Sequence, residues 1–320
     1  MIVTFTANPS IDRTAELSAP LERGGVNRIR ALHDGPGGKG INVSRALRLA
    51  EVPTLAVLPA PTSHPLVDAL VATEVAHRAV PVTRLVRTNI TLTEDDGTTT
   101  KVNEPGTRLD PEARATLRDA LVDSARGAHW VALCGSLPPG PDADWYADLV
   151  EAVRPTGARI AVDTSDRPLT ALAARMPGAA PDLLKPNAYE LAQLTGADPG
   201  LLETSAAAGD FGPTVEAAGR LVGQGVAYVL ATLGAAGAVL ATREGAWAAT
   251  APPIVPLSTV GAGDSSLAGF LLAAVRGDSP ADCLRTAVAY GSGATALPGT
   301  EVPRPDQIHP DRATVTEHTP

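Results

Sequence analysis

Short buried strands alternate with helix patterns along most of the chain, and this alternation is the feature that most constrains the fold. Apolar, β-branched runs at 2–7, 54–60, 129–135 and 159–165 predict strands, and helical periodicity separates most of them. Such an order predicts an α/β fold, with a mostly parallel sheet flanked by helices on both faces. The chain has 320 residues, of which 44% are hydrophobic, and this suits one large domain with a small insert.

The stretch from Thr83 to Val102 departs from this alternation. Polar and apolar residues alternate on both sides of an Asp96-Gly97 turn, which predicts a β-hairpin outside the main core. Residues 26–34 predict a further strand. The chain shows no internal repeat and no interdomain linker.

Charge and composition exclude several classes of protein. The net charge of −9 and the 3% aromatic content argue against a nucleic-acid partner, and no segment is apolar enough to span a membrane. The N-terminus lacks a secretory pattern, so a cytoplasmic protein is expected. Cys134 and Cys283 are too few for a disulfide framework or a four-cysteine zinc site and are expected to be inert buried thiols; the six histidines show no metal-binding spacing.

The strongest chemical motif is Ser-Thr-Val-Gly-Ala-Gly-Asp at 258–264, which runs directly into an apolar helix. Glycines let backbone N–H groups of Gly261, Ala262 and Gly263 face one point at a helix N-terminus, where an anion is stabilised. Asp264 then lies beside the anion and can accept a proton from an attacking hydroxyl. The alternative is a glycine turn with an aspartate in the first helical turn.

A second glycine-rich motif, Gly-Pro-Gly-Gly-Lys-Gly-Ile-Asn at 35–42, also leads into a helix. Gly38 lets a ligand contact the backbone, Lys39 supplies a point charge, and Asn42 offers both a donor and an acceptor to sugar hydroxyls. The motif is not a phosphate-binding P-loop, because glycine follows the lysine where that loop has serine or threonine. The alternative is a simple helix-entry loop.

Lys185-Pro186-Asn187-Ala188-Tyr189-Glu190 allows two interpretations. Asn187 and Glu190 are three residues apart, which is the spacing of a helix capping box. The same pair could hold a Mg²⁺ ion through water near nucleotide phosphates.

Weaker signals complete the set. Asp12 follows the first strand and could face a sugar, and the predicted hairpin places two basic residues, Arg87 and Lys101, on one small sheet, where an anionic substrate would need them. Ser136 leaves a strand end, where α/β sheets bind ligands. The glycine turn at 232–237 would suit a nucleotide against the backbone. Each of these has a plain structural alternative, a turn or a solvated hairpin face.

Taken together, these motifs resemble those of the ribokinase-type (PfkB) carbohydrate kinases, most closely the 1-phosphofructokinase subgroup. The resemblance extends over nearly the whole chain. It is carried by the motifs above and by NPSIDRT at 8–14, TRLVRTNITL at 83–92, GTTTKVNEPG at 97–106, GSLPPG at 135–140, DTS at 163–165 and TLGAAGA at 232–238.

The resemblance implies an ATP-dependent and Mg²⁺-dependent kinase with a single ribokinase-like domain over 1–320. A small β-sheet lid from about 11–32 and 84–106 is implied, as is a homodimer formed through that lid. The catalytic group would be Asp264 with Gly261, Ala262 and Gly263. Substrate would contact Asp12, Gly38, Lys39, Asn42, Arg87, Asn89, Lys101, Asn103 and Ser136. The nucleotide would contact Lys185, Asn187, Glu190, Thr232, Gly234 and Gly237, with Mg²⁺ held by Asn187 and Glu190 through water.

The expected reaction is phosphorylation of a ketohexose phosphate, with fructose 1-phosphate as the first candidate. Within the same chemistry the alternatives are tagatose 6-phosphate, fructose 6-phosphate and an unphosphorylated sugar or nucleoside. A non-catalytic sugar-phosphate sensor is the alternative outside it. The loop at 59–65 departs from the glycine pair common in the family, and Asp166 stands where glycine is common.

Overall fold

The computed structural model describes residues 1–252 and 254–318 and is dominated by a ten-stranded sheet. Seven neighbouring strands are parallel, and three more extend the sheet with antiparallel pairing. In spatial order the strands are β14 (Thr314–His318), β13 (Ala246–Thr250), β12 (Ala238–Ala241), β11 (Tyr228–Thr232), β10 (Leu183–Leu184), β9 (Arg159–Asp163), β8 (Trp130–Cys134), β1 (Ile2–Thr6), β4 (Thr54–Pro59) and β5 (His77–Val80).

Helices cover both faces of this sheet, which confirms the predicted α/β fold. They are α1 (Lys39–Leu49), α2 (Pro65–Ala72), α3 (Pro111–Ala125), α4 (Trp145–Val153), α5 (Asp166–Ala174), α6 (Ala188–Thr195), α7 (Pro199–Ala207), α8 (Gly212–Gly223), α9 (Ala262–Arg276) and α10 (Pro280–Thr295). Side-chain caps from Asp110 and Ser279, each followed by proline, fix where α3 and α10 begin.

A separate four-stranded sheet stands beside the large one. It has the order β3 (Ile29–Gly37), β2 (Ser10–Leu17), β6 (Arg87–Thr93) and β7 (Thr99–Asn103). The hairpin of β6 and β7 turns at Gly97, whose φ of +86° favours glycine, as the Asp96-Gly97 signal predicted. Strand β2 pairs with β6 in parallel, and Ile11 on β2 packs in a small apolar cluster with residues of α2 and β4.

Three segments of the structure are poorly marked in the sequence. Residues 77–80 form an edge strand, and Pro199–Ala207 forms a helix, although neither segment has clear periodicity. Strand β10 is only two residues long, although the run Asp-Leu-Leu-Lys-Pro-Asn at 182–187 predicts a longer strand. These segments are defined by their packing against neighbours, which a single-sequence pattern does not contain.

Two large apolar clusters, one on each side of the sheet, hold the helices. Cys134 and Cys283 lie buried in or beside these clusters as free thiols. No helix within the described ranges is both long and apolar enough to cross a membrane.

Candidate functional site

The predicted site residues gather where the parallel strands β1, β8, β9, β10 and β11 end. Residues just past these carboxyl ends include Asn8, Ser136, Lys185 and Asn187, while Asp163 closes β9. Ligands bind at this edge in open α/β sheets, because loops and helix N-termini converge there. An isolated bridge between Asn187 and Thr232 joins two of the predicted nucleotide contacts.

Asp264 is buried in the first turn of α9, behind the glycine motif. Gly261 occupies the N-cap position with φ +80°, so the chain enters the helix in a conformation that favours glycine. The Nδ2 of Asn42 donates a 2.9 Å hydrogen bond to Asp264 Oδ2. Burial raises the pKa of Asp264 to about 6, against the opposing effects of Lys39, Asn42 and Lys185 and with support from the Asp163 carboxylate. A carboxylate with this pKa is suited to accept a proton near neutral pH.

Asp163 is the important residue that the sequence interpretation did not assign to the site. Its side chain is 1% exposed and lies between two ammonium groups: Lys39 Nζ is 2.7 Å from Oδ1, and Lys185 Nζ is 3.2 Å from Oδ2. Burial opposes its ionisation, but the two lysines outweigh burial and hold the pKa of Asp163 below its usual range. An aspartate at the end of a buried parallel strand was the available signal.

Lys39 is therefore held by a buried carboxylate at the end of β9. Burial opposes its charge, yet the carboxylates of Asp163, Asp264 and Glu190 raise its pKa. Its side chain is 37% exposed, against 5% for Lys185, so Lys39 keeps a face open to the cleft. This ammonium thus contacts Asp163 and lies near the carboxylates of Asp264 and Glu190.

The capping-box interpretation of Asn187 and Glu190 is realised at the start of α6. Glu190 Oε2 accepts from the Asn187 N–H at 2.9 Å, and Asn187 Oδ1 accepts from the Glu190 N–H at 2.8 Å. Glu190 Oε1 and Asn187 Nδ2 stay outside the box. Burial raises the pKa of Glu190, and the nearby Asp163 adds to this effect. Within residues 1–252 and 254–318 no three acidic, cysteine or histidine side chains cluster to hold a metal directly.

The small sheet presents a polar network toward the cleft. Asp12 Oδ1 accepts from Ser10 Oγ at 2.7 Å and from Asn89 Nδ2 at 3.1 Å. Gly37 lies directly against this carboxylate, since a Cβ there would be 2.2 Å from Asp12 Cγ. Asn89 pairs with Asn103 across the strands, and its buried Oδ1 has no hydrogen-bond partner in the described part of the chain. Such an acceptor is available to a ligand hydroxyl.

Arg87 is fixed by backbone oxygens rather than by a carboxylate. Its guanidinium donates to the carbonyls of Glu104 at 3.0 Å and Asn8 at 3.1 Å, and Asn8 Nδ2 reaches Ser136 Oγ at 3.3 Å. Arg87 and Ser136 thus share one neighbour. Lys101 belongs to the same face of the small sheet by register, but it is exposed on the edge strand β7.

The remaining predicted residues lie where two loops meet. Thr232 ends β11 and donates its N–H to the Pro186 carbonyl at 2.9 Å, next to the Lys185–Glu190 motif. Gly234 and Gly237 form the tight turn into the antiparallel strand β12, which is the plain structural alternative for this motif.

In the 59–65 loop, which departs from the family pattern, His64 caps α2, and its Nε2 lies 3.3 Å from the backbone nitrogen of Val86, just before β6.

Known proteins match this architecture along its whole length. A family model described as pfkB family carbohydrate kinase matches residues 6–307. A 1-phosphofructokinase of Rhodobacter capsulatus is 36% identical, across 99% of this chain and 98% of that protein. Phosphofructokinase-2 from Escherichia coli, solved with substrates and products, gives a TM-score of 0.86 at 30% identity and 96% coverage of both chains. Ribokinase from Thermotoga maritima has the same fold, with a TM-score of 0.72 at 16% identity over 96% of this chain and 97% of ribokinase. The chain therefore belongs to the pfkB family of carbohydrate kinases.

Proposed function

We propose that this enzyme transfers the γ-phosphoryl group of ATP to a hydroxyl of fructose 1-phosphate and so forms fructose 1,6-bisphosphate. The observation that carries the proposal is the buried Asp264 carboxylate, with its raised pKa, at the N-terminus of α9 and bonded to Asn42. The similarity to a 1-phosphofructokinase supports the choice of substrate. Because ATP is the donor, we place the enzyme in the cytoplasm.

In this mechanism Asp264 accepts the proton of the attacking sugar hydroxyl. The sugar oxygen forms a bond to the γ-phosphorus while the bond from that phosphorus to the β–γ bridging oxygen breaks, and ADP leaves. Backbone N–H groups of Gly261, Ala262 and Gly263 stabilise the charge that develops on the transferring group. Lys39 and Lys185, fixed by Asp163, supply positive charge at the same point, so Lys39 serves the transferring phosphoryl group rather than the substrate's own phosphate.

The sugar would be held at the junction of the two sheets. Asp12, Gly38, Asn42, Asn89 and Asn103 offer hydrogen-bonding groups to its hydroxyls. Arg87, Ser136 and Lys101 are assigned to its phosphate, and Arg87 is the best held of the three.

The nucleotide would lie against Thr232, Gly234 and Gly237, with its phosphates near Lys185 and Asn187. Glu190 Oε1 is the protein atom that fits a hydrated Mg²⁺, since one carboxylate with water and phosphate oxygens is a usual magnesium environment. Asn187 Oδ1 is engaged in the capping box and its Nδ2 only donates, so Asn187 would help by binding a phosphate oxygen beside the ion. Bound there, the ion would neutralise phosphate charge.

We propose that residues 1–320 form one domain and that the small sheet is the lid expected at about 11–32 and 84–106, with β3 continuing beyond 32 to Gly37. The face of this sheet away from the site carries Leu32 and Val102, which are 49% and 54% exposed. An exposed apolar face of this kind suits pairing with the lid of a second copy. Light scattering of the wild type and of the double variant L32D/V102D tests the dimer, which the double variant should convert to a monomer.

Phosphorylation assays with fructose 1-phosphate, fructose 6-phosphate, tagatose 6-phosphate, fructose and adenosine test the reaction. The proposal requires the highest kcat/KM for fructose 1-phosphate. Escherichia coli phosphofructokinase-2 has been solved with fructose-6-phosphate, so preference for a 6-phosphate is the competing outcome. Saturable binding of a sugar phosphate without turnover would instead indicate a sensor.

A further inference from the structure

Helix α1, which carries Lys39 and Asn42, also carries Arg45, a residue with no role in the proposed mechanism. Arg45 is three residues after Asn42, so the two side chains share one face of the helix. Its Nη1 lies 3.4 Å from Asn42 Oδ1 and 3.1 Å from the carbonyl oxygen of Thr300. One guanidinium therefore contacts both the residue that bonds the Asp264 carboxylate and the turn that follows α10.

The contact to Asn42 decides which way its amide faces. An asparagine side chain has a donor end and an acceptor end, whereas arginine only donates and an ionised carboxylate only accepts. With Arg45 on the oxygen and Asp264 on the nitrogen, both ends of Asn42 are satisfied in a single orientation. The reversed amide would put oxygen against the carboxylate and NH₂ against the guanidinium, and both contacts would be repulsive.

The contact to Thr300 reaches the other side of the site. Gly299, the residue before it, accepts a 2.9 Å hydrogen bond from Ser258 Oγ, and the same hydroxyl accepts from the Val260 N–H at 3.1 Å. Val260 immediately precedes Gly261, where α9 is capped. Arg45 is thus tied to the segment that enters the anion-binding turn.

The surroundings keep this arginine charged although burial lowers its pKa. The carboxylates of Asp12 and Glu301 oppose the effect of burial, while Arg48 adds to it. Removing the charge of Arg45 would therefore leave Asn42 Oδ1 and the Thr300 carbonyl without their cationic donor in a partly buried place, which is costly.

We propose that Arg45 is a positioning residue that holds the nitrogen of the Asn42 amide on the Asp264 carboxylate and links α1 to the turn before α9. The proposal rests on Asp264 being the base of the proposed function. Without Arg45, Asn42 is free to reorient, and the carboxylate loses a hydrogen bond that favours its ionised form. The other charged groups facing Asp264, namely Lys39, Lys185 and Asp163, remain in place.

The test is the pH dependence of kcat/KM for R45M, R45K and the matched control R48M. Arg48 lies one turn further along α1 and pairs at the surface with Glu74 at 3.0 Å. In R45M the acid limb of the kcat/KM profile should move to higher pH by at least about half a unit. At a pH below this limb, kcat/KM should therefore fall about threefold. R45K should recover part of the shift, and R48M should leave the limb where it is. R45Q replaces R45M if the latter does not fold.

A second measurement distinguishes a positioning role of Arg45 from a purely structural one, and it does not require catalytic turnover. The difference in Tm between each chain and its D264N counterpart, followed from pH 4 to 8, reports the titration of Asp264 in the folded protein. This titration should move upward in R45M, but R45M should add no further movement in an N42A background.

Two results would overturn the inference: R45M lowers Tm or kcat while both pH profiles stay unchanged, or R45M and N42A shift the titration independently. If the wild type phosphorylates none of the sugars, the proposed function fails, and the Tm titration still decides the role of Arg45.

Discussion

The two sheets supply charged groups to the site in different physical states. At the end of the large sheet, Asp163 and Asp264 are almost fully buried, and each is paired with a named partner. On the small sheet, Lys101 and Asn103 are exposed, and Asp12 is half-buried. Electrostatic interactions are strong in the first environment and screened in the second. The comparison therefore predicts large effects on chemistry from the large sheet and smaller effects on binding from the small one.

The largest effect is expected for D264N, which keeps the shape and the Asn42 contact but cannot accept a proton. Loss of general-base catalysis should lower kcat by about 10²–10⁴-fold while ATP still binds. Turnover measured alongside nucleotide titration checks this result. Near-normal kcat in D264N would show that Asp264 is not the catalytic base.

The same substitution makes a prediction for stability. The raised pKa of Asp264 means that the folded state binds a proton more tightly than the unfolded state. Stability from this group is then present at low pH and is lost as pH rises from about 4 to about 6. D264N should escape this loss. The Tm of D264N should therefore rise relative to that of the wild type between about pH 4 and about pH 6, and the difference should stay constant at higher pH. A constant Tm difference at every pH would contradict the pKa shift.

The next largest effect is expected for D163N, which leaves two ammonium groups facing each other without a carboxylate. Breaking a buried charge network by removing one partner costs about 3–5 kcal/mol. Denaturant unfolding should show this cost, and kcat should fall because Lys39 and Lys185 lose their orientation. D148N is the matched control, because Asp148 pairs with Arg175 at 2.5 Å on the surface, where a pair contributes about 1 kcal/mol or less. Equal losses in the two variants would show that burial does not distinguish these pairs.

What the sequence could predict follows the same division. Strand and helix periodicity, together with local signals such as Asp96-Gly97, predicted most elements, because these features depend on neighbours within a few residues. The residues that meet at Asp163 are far apart in the chain, so their contact depends on strand order. The chain has only three lysines, and two of them, Lys39 and Lys185, share this one carboxylate. The sequence motifs indicated a role for each lysine separately, but they could not show that both lysines contact Asp163.

The smallest effects on activity are expected from substitutions on the small sheet. Of its two candidate phosphate-binding cations, Arg87 should contribute more to substrate binding than Lys101. Arg87 is held by two carbonyl groups, so its guanidinium is preorganised, whereas Lys101 is exposed on an edge strand and must lose side-chain freedom to bind. R87M should therefore raise the KM for the sugar phosphate by about tenfold or more, which corresponds to a charge-assisted hydrogen bond of about 1.5–3 kcal/mol. K101M should raise it by about threefold or less, as expected for an exposed charge. Because neither cation touches the transferring group, kcat should change little in both variants.

Steady-state kinetics at two salt concentrations makes the comparison of R87M and K101M sharper, since only the Lys101 contribution to KM should weaken with added salt. A larger effect from K101M than from R87M would mean that the substrate phosphate binds at the edge of the small sheet, away from Ser136.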